Sequence, residues 1–246
     1  MRKLILLTAL ILFAVGTVAA TPTTHIWGPS TDIQPYMKWH ITSDIYLPME
    51  TLPGGAMIPP VTNLGITVGV LNNPKYGLEL GIDHKAGLGA LDNKPLYFNV
   101  KFGLTEESFG QAMPAVALGM YDFGSEADVT DFNLLYLKAA KTLKAGGTDF
   151  GRCSVGFFSG NDKLLLDGAG EKDNSGLMIA WERTLTEVSD KLWICAEYMG
   201  TESAYGTVNF GAAWKFADNV GVLVGYDIPN NSNLPATATV QVDIDF

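Results

Sequence analysis

The chain has 246 residues, 16 basic against 26 acidic, and a formal charge of −10. That balance argues against nucleic acid as a partner, because phosphate recognition needs a basic face. Its two cysteines, Cys153 and Cys195, read as two small buried apolar residues, and no CxxCH motif for covalent haem is present.

Residues 1–20, MRKLILLTALILFAVGTVAA, read as a secretory signal peptide. Arg2 and Lys3 precede an apolar run from Leu4 to about Val15, and Val18 and Ala20 occupy the positions a signal peptidase reads. The apolar run is shorter than the roughly 20 residues a spanning helix needs, and no later stretch reaches that length. Cleavage would leave 14 basic and 26 acidic residues, a formal charge of −12. Residues 21–32, punctuated by Pro22, Gly28 and Pro29, are expected to form a short periplasmic lead.

From residue 33 one grammar repeats: about ten residues of apolar and polar alternation, then a turn rich in Gly, Asn, Asp or Pro. It predicts twelve strands, at 33–46, 62–71, 76–85, 95–104, 114–123, 133–143, 149–158, 176–185, 191–199, 205–216, 219–228 and 237–246. Connections after odd strands are mostly long (47–61, 86–94, 159–175, 229–236), and those after even strands mostly short (72–75, 144–148, 186–190, 217–218). An even number of strands with short turns at one end predicts an all-β fold, a transmembrane antiparallel up-and-down β-barrel over 33–246. On this plan Cys153 and Cys195 fall on opposite faces of non-adjacent strands, a poor geometry for a disulfide.

A soluble barrel would also alternate, with its apolar face inward. Three features favour the membrane form. The polar parity mixes small and charged residues, as in Gly77, Glu79, Gly81 and Asp83, which suits a confined lumen. The apolar parity places Phe157, Tyr198 and Tyr226 toward one end and Phe102, Trp214, Phe246 and Tyr76 toward the other, two girdles at headgroup height. The strands are also long enough to cross the hydrocarbon when tilted.

The chain ends TATVQVDIDF, with Val240, Val242, Ile244 and the terminal Phe246 on one parity. This ending resembles the signal by which outer-membrane β-barrel proteins of Gram-negative bacteria, porin-like in type, are recognised by the barrel-assembly machinery. The opening TPTTHIWGPSTDIQPY and the internal stretch MYDFGSEADVTDFNLLY are similar to stretches of uncharacterised exported proteins of this kind. The resemblance implies an outer-membrane location, contact with lipid and lipopolysaccharide, and a monomer.

The polar parity then lists the lumen: Lys38, His40, Asp44, Glu79, Asp83, Asn99, Lys101, Lys138, Arg152, Glu182, Glu197, Asn209, Lys215, Asp227, Gln241 and Asp243. Folding the loops about their centres sets Glu79 opposite Lys101 and Arg152 opposite Glu182, and barrel closure suggests Asp243 near Lys38. Such charges could form a constriction that filters a small solute, or cross-strand ion pairs that close the lumen, and sequence leaves both readings open. A barrel without a pore, acting through loops 47–61 and 159–175, is the alternative function. Tyr97 and Tyr136 share the lumen parity and either offer stacking surface or fill space. The apolar stretch PMETLPGGAMIPP, 48–60, could fold inward or meet a partner.

Catalysis is not indicated. Outer-membrane phospholipases place Ser and His on the outer face, and Ser43 and His84 are both outward here, but a whole strand separates them and His-x-Ser-Asn-Gly is absent. The histidines are scattered at 25, 40 and 84, and DGAGEKDN, 167–174, lacks the oxygen spacing of a calcium loop, so neither metal nor cofactor is expected.

Overall fold

A computed structural model describes residues 23–51 and 54–246. The signal peptide expected over 1–20 lies outside the described residues. Twelve antiparallel strands form one closed barrel: β1 (Trp39–Pro48), β2 (Val61–Gly69), β3 (Tyr76–Ala86), β4 (Leu96–Leu104), β5 (Ala115–Gly124), β6 (Leu134–Ala145), β7 (Thr148–Ser159), β8 (Ser175–Thr184), β9 (Leu192–Met199), β10 (Thr207–Ala217), β11 (Val220–Pro229) and β12 (Thr237–Asp245). Each strand pairs with its sequence neighbours, and β12 closes on β1 with His40 opposite Asp245 and Pro48 opposite Thr237. Closure satisfies the backbone and leaves no edge to lipid.

The outer face is apolar and uncovered. Leu64, Leu80, Val100, Leu118, Leu137, Val155, Ile179, Phe210 and Val224 are all exposed, which in water would be a prohibitive patch and in lipid is a solvent match. Inward parity carries the buried polar groups instead, among them His40, Glu79, Lys101, Lys138, Glu197, Asn209, Asp227 and Gln241. Cys195 is buried and Cys153 exposed, both unbridged, with β8 between their strands.

Strand β1 begins at Trp39, not at residue 33. Pro35 cannot donate to a ladder, and Met37 has φ 58°, a left-handed turn that breaks the extended run. The larger correction concerns the lead. Residues 23–32, expected to lie outside the barrel, are lodged within it: His25 and Ile26 are each 1% exposed, Ser30 2% and Thr31 3%.

Candidate functional site

The N-terminal segment enters the lumen and doubles back. Thr24 bridges to Pro29, and the His25 N–H donates to the Gly28 carbonyl at 2.9 Å, so residues 24–29 form a tight hairpin with Ile26 and Trp27 at its tip. The chain then runs through Asp32 and Gln34 and leaves beside Gly69, where the Met37 N–H donates to the Gly69 carbonyl at 2.8 Å.

Lumen glycines are shaped around this segment. A Cβ on Gly77 would lie 2.7 Å from Ile33, on Gly103 2.6 Å from Ile33, and on Gly225 3.1 Å from Ile26. On Gly69 it would meet the Gln34 and Pro35 carbonyl oxygens at 2.1 and 2.2 Å. Small lumen residues therefore make room for the segment's own side chains and backbone. Ile26 fills a pocket of Trp193, Cys195, Ala213 and Leu223.

Several buried charges converge on the same segment. Glu197 accepts hydrogen bonds from three successive backbone N–H groups, those of Ile26 (3.0 Å), Trp27 and Gly28 (3.2 Å). Lys101 Nζ donates to the Thr23 carbonyl at 2.9 Å and pairs with Glu79 at 2.9 Å, while the other Glu79 oxygen accepts from the Gln34 N–H at 2.7 Å. Lys138 Nζ donates to the Pro29 carbonyl at 2.9 Å and lies 3.1 Å from His25 Nδ1. With Nδ1 accepting that bond, His25 Nε2 carries the proton toward Glu182 at 3.3 Å. Arg152 holds the Asp32 carboxylate at 2.7 Å to both oxygens and the Thr31 hydroxyl at 2.7 Å. Gln241 Nε2 donates to the Ile26 carbonyl at 2.6 Å.

Two expected strand-to-strand juxtapositions exist in the register: Glu79 lies opposite Lys101, and Arg152 opposite Glu182, whose charges are 3.7 Å apart. The Asp243–Lys38 pairing is corrected. Asp243 sits 3.3 Å from His40 Nε2, and Asp245 lies 3.0 Å from His40 Nδ1, because β12 registers Asp243 against Thr42 while Lys38 precedes the sheet and is exposed. Lys215 is at the terminal end of β10, 3.9 Å from Asp218.

Toward the loop end the lumen divides. Along β5 to β9 it is packed with Leu134, Tyr136, Phe158, Met178 and Met199, capped by Leu165 from the loop after β7 and flanked by Phe132, Trp27 and Tyr205. Tyr97 stacks near Phe132, 6.3 Å between centroids, so both lumen tyrosines fill space. The opposite wall is polar: Asp44 accepts from Thr42 (2.6 Å) and Asn63 (3.1 Å), Asp83 from Asn99 (2.7 Å), and Asp227 from Thr237 (2.8 Å). The loop 48–60 does not fold inward among its described residues; Met57 is 83% exposed.

Sequence reasoning missed Lys85, Asp122 and Tyr205. A register shift near Asn99, with Asp122 at φ 54°, turns Asp122 inward against the apparent parity. It accepts from Lys85 at 2.6 and 2.7 Å and from the Tyr205 hydroxyl at 2.6 Å. Burial and the neighbouring Asp122 charge hold the Tyr205 phenol well above its ordinary value. In the turn after β4, partial burial of Glu106 is outweighed by bonds from the Thr142 N–H and hydroxyl (both 2.8 Å) and Lys141, which hold its carboxyl below the usual range.

Ser43 and His84 lie in one outward row with Leu64 between them. Among the described residues no group of three or more His, Cys, Asp or Glu is arranged for a metal ion.

Solved structures share this architecture. The KdgM porin superposes with TM-score 0.50 at 11% identity, covering 85% of this chain and 98% of its own. The fold is that of an outer-membrane porin. A KdgM porin in complex with disordered oligogalacturonate gives 0.51 at 12% identity over 85% and 99%, and the NanC porin 0.50 at 8% identity over 85% and 98%. No protein-family model and no curated protein sequence matches the chain.

Proposed function

We propose that this protein is a narrow porin-like channel of the outer membrane for passive diffusion of small solutes, with residues 23–34 as its resident gate. The leading observation is that a set of charges in the lumen is satisfied by a segment outside the sheet. Four of them, Glu79, Lys101, Lys138 and Glu197, bond to its backbone, and Arg152 to its side chains. A barrel built only as a wall could fill its interior with inward side chains, as the β5–β9 half does.

On this reading residues 1–20 direct export and are cleaved, and the long loops face outside. Val240, Val242, Ile244 and Phe246 present the assembly signal, the outer face meets lipid and lipopolysaccharide, and the barrel works as a monomer. Solute passes along the polar wall of Asp44, Asp83, Asn209 and Asp227 once the gate withdraws. Conductance in planar bilayers tests this. The mature chain should conduct rarely, and a variant lacking residues 21–34 steadily, with selectivity altered by Lys101→Ala and Arg152→Ala. A truncated barrel that folds, shown by heat-modifiable mobility, yet stays silent would favour the non-conducting alternative, for which the packed β5–β9 half of the lumen argues.

A further inference from the structure

We infer that the lumen is a peptide-binding site, so that the solute class of the proposed channel is short peptides competing with the N-terminal segment; the inference rests on the channel reading for its transport role but not for binding. The segment is held through side chains, with Arg152 on Asp32 and Thr31 and with His25, Trp27 and Gln34 bonded to Glu182, the Tyr205 carbonyl and Asp245, and also through its backbone, whose bonds any peptide can make. Glu197 takes the N–H groups of residues 26, 27 and 28, and Glu79 takes that of residue 34. Lys101, Lys138 and Gln241 donate to the carbonyls of residues 23, 29 and 26. The wall thus presents acceptors for amide N–H and donors for amide C=O at the intervals a folded-back chain supplies them. Three consecutive N–H groups closing on one carboxylate form an anion nest, a feature of polypeptide backbone.

These groups are set deep. Lys138 is 1% exposed, Lys101 3% and Glu197 5%. With the segment withdrawn these groups face lumen water, so a ligand that displaces that water binds best when it returns both kinds of hydrogen bond. A polyanionic sugar would satisfy Lys101, Lys138 and Arg152 but would offer Glu197 and Glu79 only hydroxyl donors beside further negative charge. A peptide satisfies both sides. The Ile26 pocket and the room beside Gly77 and Gly103 add space for two aliphatic side chains, and Gly28, where a Cβ would come within 3.3 Å of Glu197, calls for a small residue.

The test is calorimetric titration of the folded barrel lacking residues 21–34 with a synthetic peptide of residues 21–34. Saturable binding is expected. N-methylation of Ile26, Trp27 and Gly28 in that peptide should weaken it by about tenfold or more, since bonds to a charged acceptor are removed. N-methylation at Ile33 should cost less than about threefold on the same scale. An acidic oligosaccharide of similar length should bind about tenfold more weakly than the peptide. No binding, indifference to N-methylation at 26–28, or equal affinity for the oligosaccharide would overturn the inference. If the truncated chain does not fold, the full mature chain bearing Trp27→Ala and Asp32→Ala, which loosens the tethered segment, is titrated instead with the same criteria. Conductance of the ligand-free barrel reports separately on the channel reading, so the two can fail independently.

Discussion

Glu197→Gln isolates the grip on the segment. The carboxylate accepts from the N–H groups of Ile26, Trp27 and Gly28 and lies 3.3 Å from Asn209 Nδ2. Glutamine keeps the shape and one acceptor oxygen, but its NH2 faces a donor where the second oxygen stood, and the charge is gone. Hydrogen bonds to a charged group contribute about 1.5–3 kcal/mol each. Weakening two and inverting one should cost the docked state about 3 kcal/mol, on the order of a hundredfold in the ratio of docked to released segment. The assay is the open fraction in a planar bilayer at fixed voltage, with Asp83→Asn as control, since Asp83 bonds to Asn99 on the neighbouring strand. The variant should raise the open fraction by roughly that factor and the control by less than about threefold. A folded Glu197→Gln barrel whose open fraction equals wild type would refute the account of what holds the segment.

Gly77→Val should expel the segment, because the three atoms nearest a Cβ there all belong to Ile33; conductance should rise, and Ile33→Ala in the same chain should restore closure, a coupling read by a double-mutant cycle. Val240→Arg and Val242→Arg put a charge against lipid at a cost of about 2–4 kcal/mol near the midplane and should lower the folded yield in vesicles. Gln241→Arg should insert normally yet conduct more, since the longer side chain does not fit the buried place from which Gln241 donates to the Ile26 carbonyl; equal insertion at both parities would refute the facing assignment. Glu106, its carboxyl held low in the folded state, stabilises the protein above the ordinary carboxylate range and loses that contribution as pH falls through its folded value. The urea midpoint of wild type should therefore exceed that of Glu106→Gln at pH 7, the gap closing below about pH 4, and a gap that widens on acidification would contradict the sign.

The barrel was legible because lipid and lumen impose opposite polarity on alternate residues, a period that survives along whole strands such as Thr237–Asp245. Loop symmetry even located Glu79 against Lys101, since hairpin register follows from where the chain turns. Two things broke that logic. One extra residue in β5 inverted the parity at Asp122, and a bulge leaves no mark in composition. The segment 23–34 has no period at all, because it pairs with side chains instead of a neighbouring strand. A hint was present in the lumen parity, where Gly77, Gly103, Gly211 and Gly225 leave more room than the charges beside them require, and in Ile26-Trp27, an apolar pair within a polar lead.

Tethering decides how such a segment can serve as a gate. Residue 34 lies only five positions before β1, so the segment's effective concentration at the lumen is high and docking carries little entropic cost. Its occupancy is then set by the sum of hydrogen bonds and by the fit of Ile26 and Ile33. A free peptide making the same bonds starts at the disadvantage of being untethered and can win only when abundant, or when it adds contacts the segment does not make. The polar wall near Asp44 and Asp227 offers such contacts to a chain extending beyond the hairpin tip. Peptides that carry an amine past the position of Trp27 should accordingly displace the segment at lower concentration than the segment's own sequence does, and equal potency would place the whole of the binding energy below that tip.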